Sequence, residues 1–296
     1  MKTNVSSTVF ALIISFFSQA QSLNTQLRDT EQQPHLLGEI NKSDLENGSY
    51  GIWFLKNYKA YKPDSKIIET LKSDLKGYTL KLFMGTWCGD SKREVPILYK
   101  VLDQAEFPQD QLIAIALSNA ANMYKQSPQH EEAGLNIHRV PTLIIYQNGK
   151  EINRIVEEPV ESFEKDLLNI IQGKKYVSNY NIVTVVNDIL KYNGVKGLKR
   201  KEKTLLKDFY GKVSSIYALN TYGRILYTTK RTEDALAVFE LNTKFFPEEA
   251  RTYMTYANTL KSNGYEKQAI KVLKSAIARH PENQTLVQNL KMIRSN

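Results

Sequence analysis

The sequence predicts an α/β domain, a mixed sheet flanked by helices, followed by an all-α region of helical repeats. Two observations carry this. Between residues 49 and 174, short apolar runs alternate with stretches whose apolar residues recur at helical spacing, and Asn148-Gly149 joins the last two runs as a hairpin turn would. Beyond about residue 181 the strand pattern stops, and small and apolar residues recur at a fixed offset of 34 positions.

Each element follows from its local pattern. Lys2, the apolar run 9–17 and the small residues Ser18 and Ala20 predict a cleaved secretory leader over residues 1–20. No cysteine follows that run, so a lipoprotein anchor is not expected. Residues 21–48, rich in Gln, Asn and Asp, read as an N-terminal arm or linker. Residues 50–55, with Trp53, Phe54 and Leu55, read as a first strand. Ile67, Ile68, Leu71 and Leu75 place a helix over 65–75. Residues 78–84 read as a strand, and 91–106 as a helix with Val95, Leu98, Val101 and Leu102 on one face. The continuous apolar run 112–117 suits a strand buried on both faces. A polar helical segment is expected over 119–134. Strands over 140–146 and 152–156 form the hairpin, and a helix over 160–171 closes the unit.

In the C-terminal part Tyr222 aligns with Tyr256, Gly223 with Ala257, Leu226 with Leu260, Ala235 with Ala269, Phe239 with Leu273, and Pro247 with Pro281. This pattern resembles two tetratricopeptide repeats over residues 213–296, with a capping helix at 284–294. The resemblance implies a concave surface that holds a partner protein or peptide; the competing role is a packing appendage. Residues 175–212 read as a helical connector, with helices over 181–192 and 204–217.

Composition narrows the function classes. The 296 residues are 42% hydrophobic and 24% charged, an ordinary globular balance. Much of the net charge of +9 is local: Lys191, Lys196, Lys199, Arg200, Lys201, Lys203, Lys207 and Lys212 crowd one stretch. This reads first as a solvated helix face, and second, over residues 191–212, as a contact for an anionic membrane surface or an acidic partner. Nucleic acid is not an expected partner for an exported chain. No Gly-rich phosphate loop, Ser-His-Asp pattern or zinc spacing occurs.

Chemistry concentrates at the only cysteine. Trp87-Cys88-Gly89 lies at a strand-to-helix turn, Lys92 follows the tetrapeptide that Cys88 opens, Pro96 lies eight residues beyond Cys88, and Val140-Pro141-Thr142 introduces an apolar strand and its Asn-Gly turn. Residues 50–173 thereby resemble the thioredoxin superfamily. The resemblance implies a thiol nucleophile at Cys88, a cis peptide before Pro141 stacked over the sulfur, and substrate contacts from Trp87, Gly89, Asp90, Val140 and Thr142. The family's dithiol enzymes carry a second cysteine where this chain has Ser91, and often a buried acid where it has Leu82. A hydroxyl cannot displace a thiolate from a mixed disulfide, so an external thiol is required for turnover.

The free N–H groups of a helix N-terminus favour negative charge at a sulfur, and the Asp90 carboxylate opposes it, with Lys92 and Arg93 as counterweights. The expectation is an exported, secreted or periplasmic protein with a monothiol site. It forms mixed disulfides with partners that the repeats recruit, and needs no cofactor and no metal. The alternative is a redox-silent scaffold for protein–protein contacts. His138 reads as an exposed loop histidine near Pro141. A Cys88–His138–Asp90 metal cluster is a weak case, and His35, His130 and His280 carry no pattern.

Overall fold

The structure, a computed structural model, describes residues 25–27 and 35–295; the expected leader at 1–20 lies outside them. The first part of the chain contains β1 (Thr25–Leu27), β2 (His35–Ile40), α1 (Lys42–Glu46), α2 (Gly48–Ala60), α3 (Ser65–Asp74), β3 (Thr79–Met84), α4 (Gly89–Gln104), β4 (Leu112–Ala116), β5 (Thr142–Gln147), β6 (Lys150–Val156) and α5 (Phe163–Ile171). Helices alone follow: α6 (Asn181–Asp208), α7 (Tyr217–Thr228), α8 (Thr232–Phe245), α9 (Ala250–Ser262), α10 (Glu266–Arg279) and α11 (Gln284–Ser295).

The strands form a mixed sheet in the order β2-β4-β3-β5-β6, with the short β1 outside β2. Only β3 and β4 are parallel, Leu82 facing Ala114 in their register; the other pairs are antiparallel. β3 is central, and Leu80, Leu82, Phe83 and Met84 are all fully buried. One face packs against α2, α4 and α5 through Phe54, Leu98, Val101 and Leu167. The other carries a smaller cluster of Phe83, Ile115, Leu117, Ile137, Val140 and Ile144, against which Trp87 and Cys88 lie. Helix starts follow local chemistry. Asp64 accepts the N–H groups of Lys66 and Ile67, and Asn41 and Asp44 close a capping box at α1.

Four local expectations are corrected. Residues 50–55 are helix, not strand. Tyr50, Phe54 and Tyr58 follow helical spacing, and Phe54 packs edge-on against Tyr99 of α4 with ring centres 5.7 Å apart. The expected arm is part of the sheet from His35, because β2 pairs antiparallel with β4. Residues 119–134 hold one short 3-10 turn at Ala121–Met123 instead of a helix. Lys125, His130 and Gly134 have positive φ, and Pro128 lacks a donor for a helix interior. The helix expected over 204–217 belongs to the second half of α6, which ends at Asp208. Gly194, at φ 62° and ψ −170°, kinks α6 where only glycine is comfortable. The basic residues of 191–212 are exposed, Lys191 before the kink, Lys212 after the helix and the others along its second half.

The later helices pack as successive pairs, and α8 and α10 begin 34 positions apart, at Thr232 and Glu266. The aligned small residues are contact points. Ala257 is fully buried, and a Cβ built on Gly223 falls inside the Phe239 ring of α8. Gly223→Ala therefore sets about 1 kcal/mol of helix propensity against overpacking of about 1–3 kcal/mol. The expected outcome is a net loss of stability in a thermal melt. An unchanged or raised Tm would mean that α7 and α8 do not approach this closely.

Candidate functional site

Cys88 is the N-cap of α4, with φ −85° and ψ 128°, and supplies no side-chain cap to that helix. Its backbone N–H donates to Gly85 O (2.9 Å), which tightens the turn out of β3. Gly85 is required there, because any Cβ would enter the Trp87 ring. Trp87 folds back and its indole N–H donates to Leu117 O at the end of β4 (2.7 Å). Gly89 is exposed and opens α4.

The half-buried thiol donates to Val140 O at 3.2 Å. The Val140–Pro141 peptide is cis. Asp90 Oδ2 lies 3.9 Å from the sulfur, and its carboxylate is engaged by Arg93 at 3.0 Å. Ser91 is fully buried, and its hydroxyl accepts the Gly85 N–H at 3.2 Å. It fixes the turn beneath Cys88. Leu82 is fully buried beside Val95, Leu98, Pro141 and Phe163. A carboxyl there would meet only apolar walls and Glu157. Pro96 lies inside α4 and is buried.

The expected substrate contacts divide. Cys88, Gly89 and Asp90 line the accessible side with Trp87. Val140, Pro141 and Thr142 are buried. Thr142 donates its hydroxyl to Arg139 O (2.8 Å), and Pro141 O accepts the Glu157 N–H (2.7 Å). Among the described residues no group of three His, Cys, Asp or Glu is placed to hold a metal, and no helix is long and apolar enough to cross a membrane.

Two groups in the loop beside the thiol depart from the sequence reading: Lys125 carried no signal, and His138 was expected near Pro141 but exposed. Lys125 is 5% exposed, and its ammonium donates to His138 O at 2.6 Å. Desolvation, reinforced by Arg139, pushes its pKa down to about 7, with Glu157 acting the other way. His138 is buried, not the exposed loop residue expected. Burial lowers its pKa to about 3, and the neighbouring Lys125, Arg139 and Arg154 add to the effect against its bond to Asn136 O. Around them Arg139 pairs with Glu157 (3.0 Å) and lies over the Tyr180 ring, while Arg224 of α7 stacks on Tyr124 at 3.7 Å. The helical part thus reaches the loop that flanks the thiol.

No family model matches this chain, and no curated protein matches it. A solved structure of a protein of unknown function from Pseudomonas aeruginosa is similar over 46% of this chain and 81% of its own, at 12% identity and a TM-score of 0.32. A likeness so distant carries no functional argument. The architecture stands on the geometry: a five-stranded mixed sheet with helices, extended at one edge by β1, followed by a helical C-terminal region.

Proposed function

We propose that this is an exported thioredoxin-like protein whose single thiol, Cys88, forms mixed disulfides with partner proteins recruited by tetratricopeptide-like repeats. The supporting observation is the placement of Cys88: half-buried, first in line with the N-terminus of a 16-residue helix, and bonded to the carbonyl that precedes cis Pro141. In the reaction the Cys88 sulfur, as thiolate, attacks one sulfur of a partner disulfide. The new S–S bond joins the two proteins and the partner's other sulfur leaves as thiolate. Ser91 is buried and engaged by Gly85, so a thiol from outside must break the adduct. Export rests on the apolar run 9–17 and the small residues that follow. The exposed lysines of α6 offer a second, electrostatic contact to an anionic membrane surface or an acidic partner.

The test is trapping on a non-reducing gel. Wild type should give adducts that a reductant releases, and Cys88→Ser should give none. Deletion of residues 213–296 should deplete the same adducts by removing recruitment. Adducts that persist in Cys88→Ser would sink the monothiol reading. Partner binding that survives Cys88→Ser and is lost on the deletion, with no adduct in either chain, would establish the scaffold instead.

A further inference from the structure

The second half of α6, from the kink at Gly194 to Asp208, has two opposite faces. At about 100° per residue, Lys196, Arg200, Lys203 and Lys207 fall within an arc of about 60°. Leu198 and Leu205 lie on the far side and are buried in the core of the helical part. The four cations are all exposed. At about 1.5 Å of rise per residue they form a straight row about 16 Å long. Glu202 and Asp208 fall to either side of it, and Glu202 is held by Lys244 at 2.5 Å. Among the described residues none of the four has an ion-pair partner, and the neighbouring Lys199 reaches Glu240 only at 3.9 Å.

Like charges three and four positions apart on a helix destabilise it. This row keeps them in sequence with no carboxylate between, so it suits an anionic surface better than water. Its composition selects which surface. The other positions on that face are Lys199 and Thr204, which give a protein partner no apolar anchor. Protein interfaces are built around buried aromatic and apolar groups, and lysine is depleted at their centres. An exposed lysine paired with one carboxylate also gains little. A layer of anionic headgroups attracts every lysine at once and demands no fixed register. Three of the four cations are lysine, a hydrated point charge, not the planar fork that matches a single carboxylate. Tyr210, 87% exposed just beyond the row, adds the amphipathic ring that membrane interfaces favour.

We propose that this face of α6 docks the protein on an anionic lipid bilayer, with the lysine row toward the headgroups and Tyr210 among them. The contact is peripheral, because the apolar face of this helix half, Leu198 and Leu205, is already committed to the core. The proposal deepens the electrostatic contact named above for α6 by choosing its partner, and in setting aside nucleic acid it rests on the export reading.

The experiment is sedimentation of the full chain with vesicles of phosphatidylcholine and phosphatidylglycerol in equal parts, against vesicles of phosphatidylcholine alone. Much tighter binding to the mixed vesicles is expected at low salt. That preference should vanish at about 1 M salt, where the Debye length falls to about 3 Å. The combined variant Arg200→Gln, Lys203→Gln, Lys207→Gln should bind the mixed vesicles roughly a hundredfold more weakly, at about fivefold per cation near an anionic surface. Lys56→Gln, Lys59→Gln and Lys62→Gln together remove the same charge from exposed positions in the first part of the chain and should change binding little. Glutamine is a good helix former, and salt release of the wild type decides alone if the α6 variant does not fold. The apolar run 9–17 is common to every variant, and phosphatidylcholine alone reads its contribution. The proposal is overturned by equal binding to both vesicle types or by a preference that survives high salt. It is equally overturned by unchanged binding in the α6 variant, by equal loss in the control variant, or by capture of polyglutamate or duplex DNA where the mixed vesicles are not bound. Failure of the export reading shows elsewhere, as a leader retained in cells, and leaves the vesicle result as it is.

Discussion

Acidification from pH 6.5 towards about 3 is expected to cost the wild-type chain more stability than it costs His138→Leu, on the order of 1 kcal/mol per pH unit. The cause is a proton that the folded state refuses. In the unfolded chain the imidazole takes it near 6.5, and in the folded chain only near 3. Across that window the unfolded state binds more protons, so stability falls as pH falls. Full stability is present above 6.5, and the accumulated loss approaches about 5 kcal/mol at the lower limit. The ring is wedged between Tyr180 and Tyr222, and the charges that weigh on it, from Lys125, Arg139 and Arg154, are all positive. Urea unfolding at a series of pH values checks this. Wild-type and variant curves that run parallel from pH 6.5 downward would refute it.

That residue also marks where sequence reading stops. The strands over residues 79–84, 112–116 and 142–147 were legible because their apolar residues cluster in short runs, broken in the first only by Lys81, and the hairpin because Asn148-Gly149 separates β5 from β6. Helix α4 was legible because Val95, Leu98 and Leu102 keep helical spacing. Helix α2 was not. Trp53, Phe54 and Leu55 are consecutive large apolar residues of the kind strands favour, and the true periodicity is carried by Tyr50, Phe54 and Tyr58 across polar positions. Strand β2 was hidden because Gly38 and Glu39 interrupt a run of only six residues in a polar context.

At the site, the position of Cys88 and Asp90 at a strand-to-helix turn was within reach of the local pattern, and the cis bond before Pro141 was implied by the family resemblance. Lys125 and His138 were not, because nothing in a polar loop sequence states that it will be folded under. Their burial is a tertiary fact. It is created when the chain between β4 and β5 is pressed against Tyr180 and α7.

Lys125→Met should change the sign of its effect with pH. The ammonium has lost most of its hydration, and its pKa falls from 10.5 to about 7. The unfolded chain therefore binds more protons between those values, and stability rises with pH across the window. Below pH 7 the wild-type chain carries the full penalty, about 5 kcal/mol for that shift. Methionine removes the penalty and keeps most of the volume, but leaves His138 O without its donor, at a cost of about 1–3 kcal/mol. The variant is thus expected to be the more stable protein by about 2–4 kcal/mol at pH 6.

Near the upper end of the window the penalty has vanished and only the lost hydrogen bond remains, so there the variant should be the less stable. The surrounding charges do not reverse this order. Arg139 and Arg224 oppose the ammonium, Glu157 favours it, and desolvation outweighs them all. Denaturant midpoints measured on both proteins from pH 6 to pH 10 read the crossing directly. A variant less stable than wild type at pH 6 would show that the ammonium is hydrated in the folded chain, and with it that the loop covering Cys88 admits water.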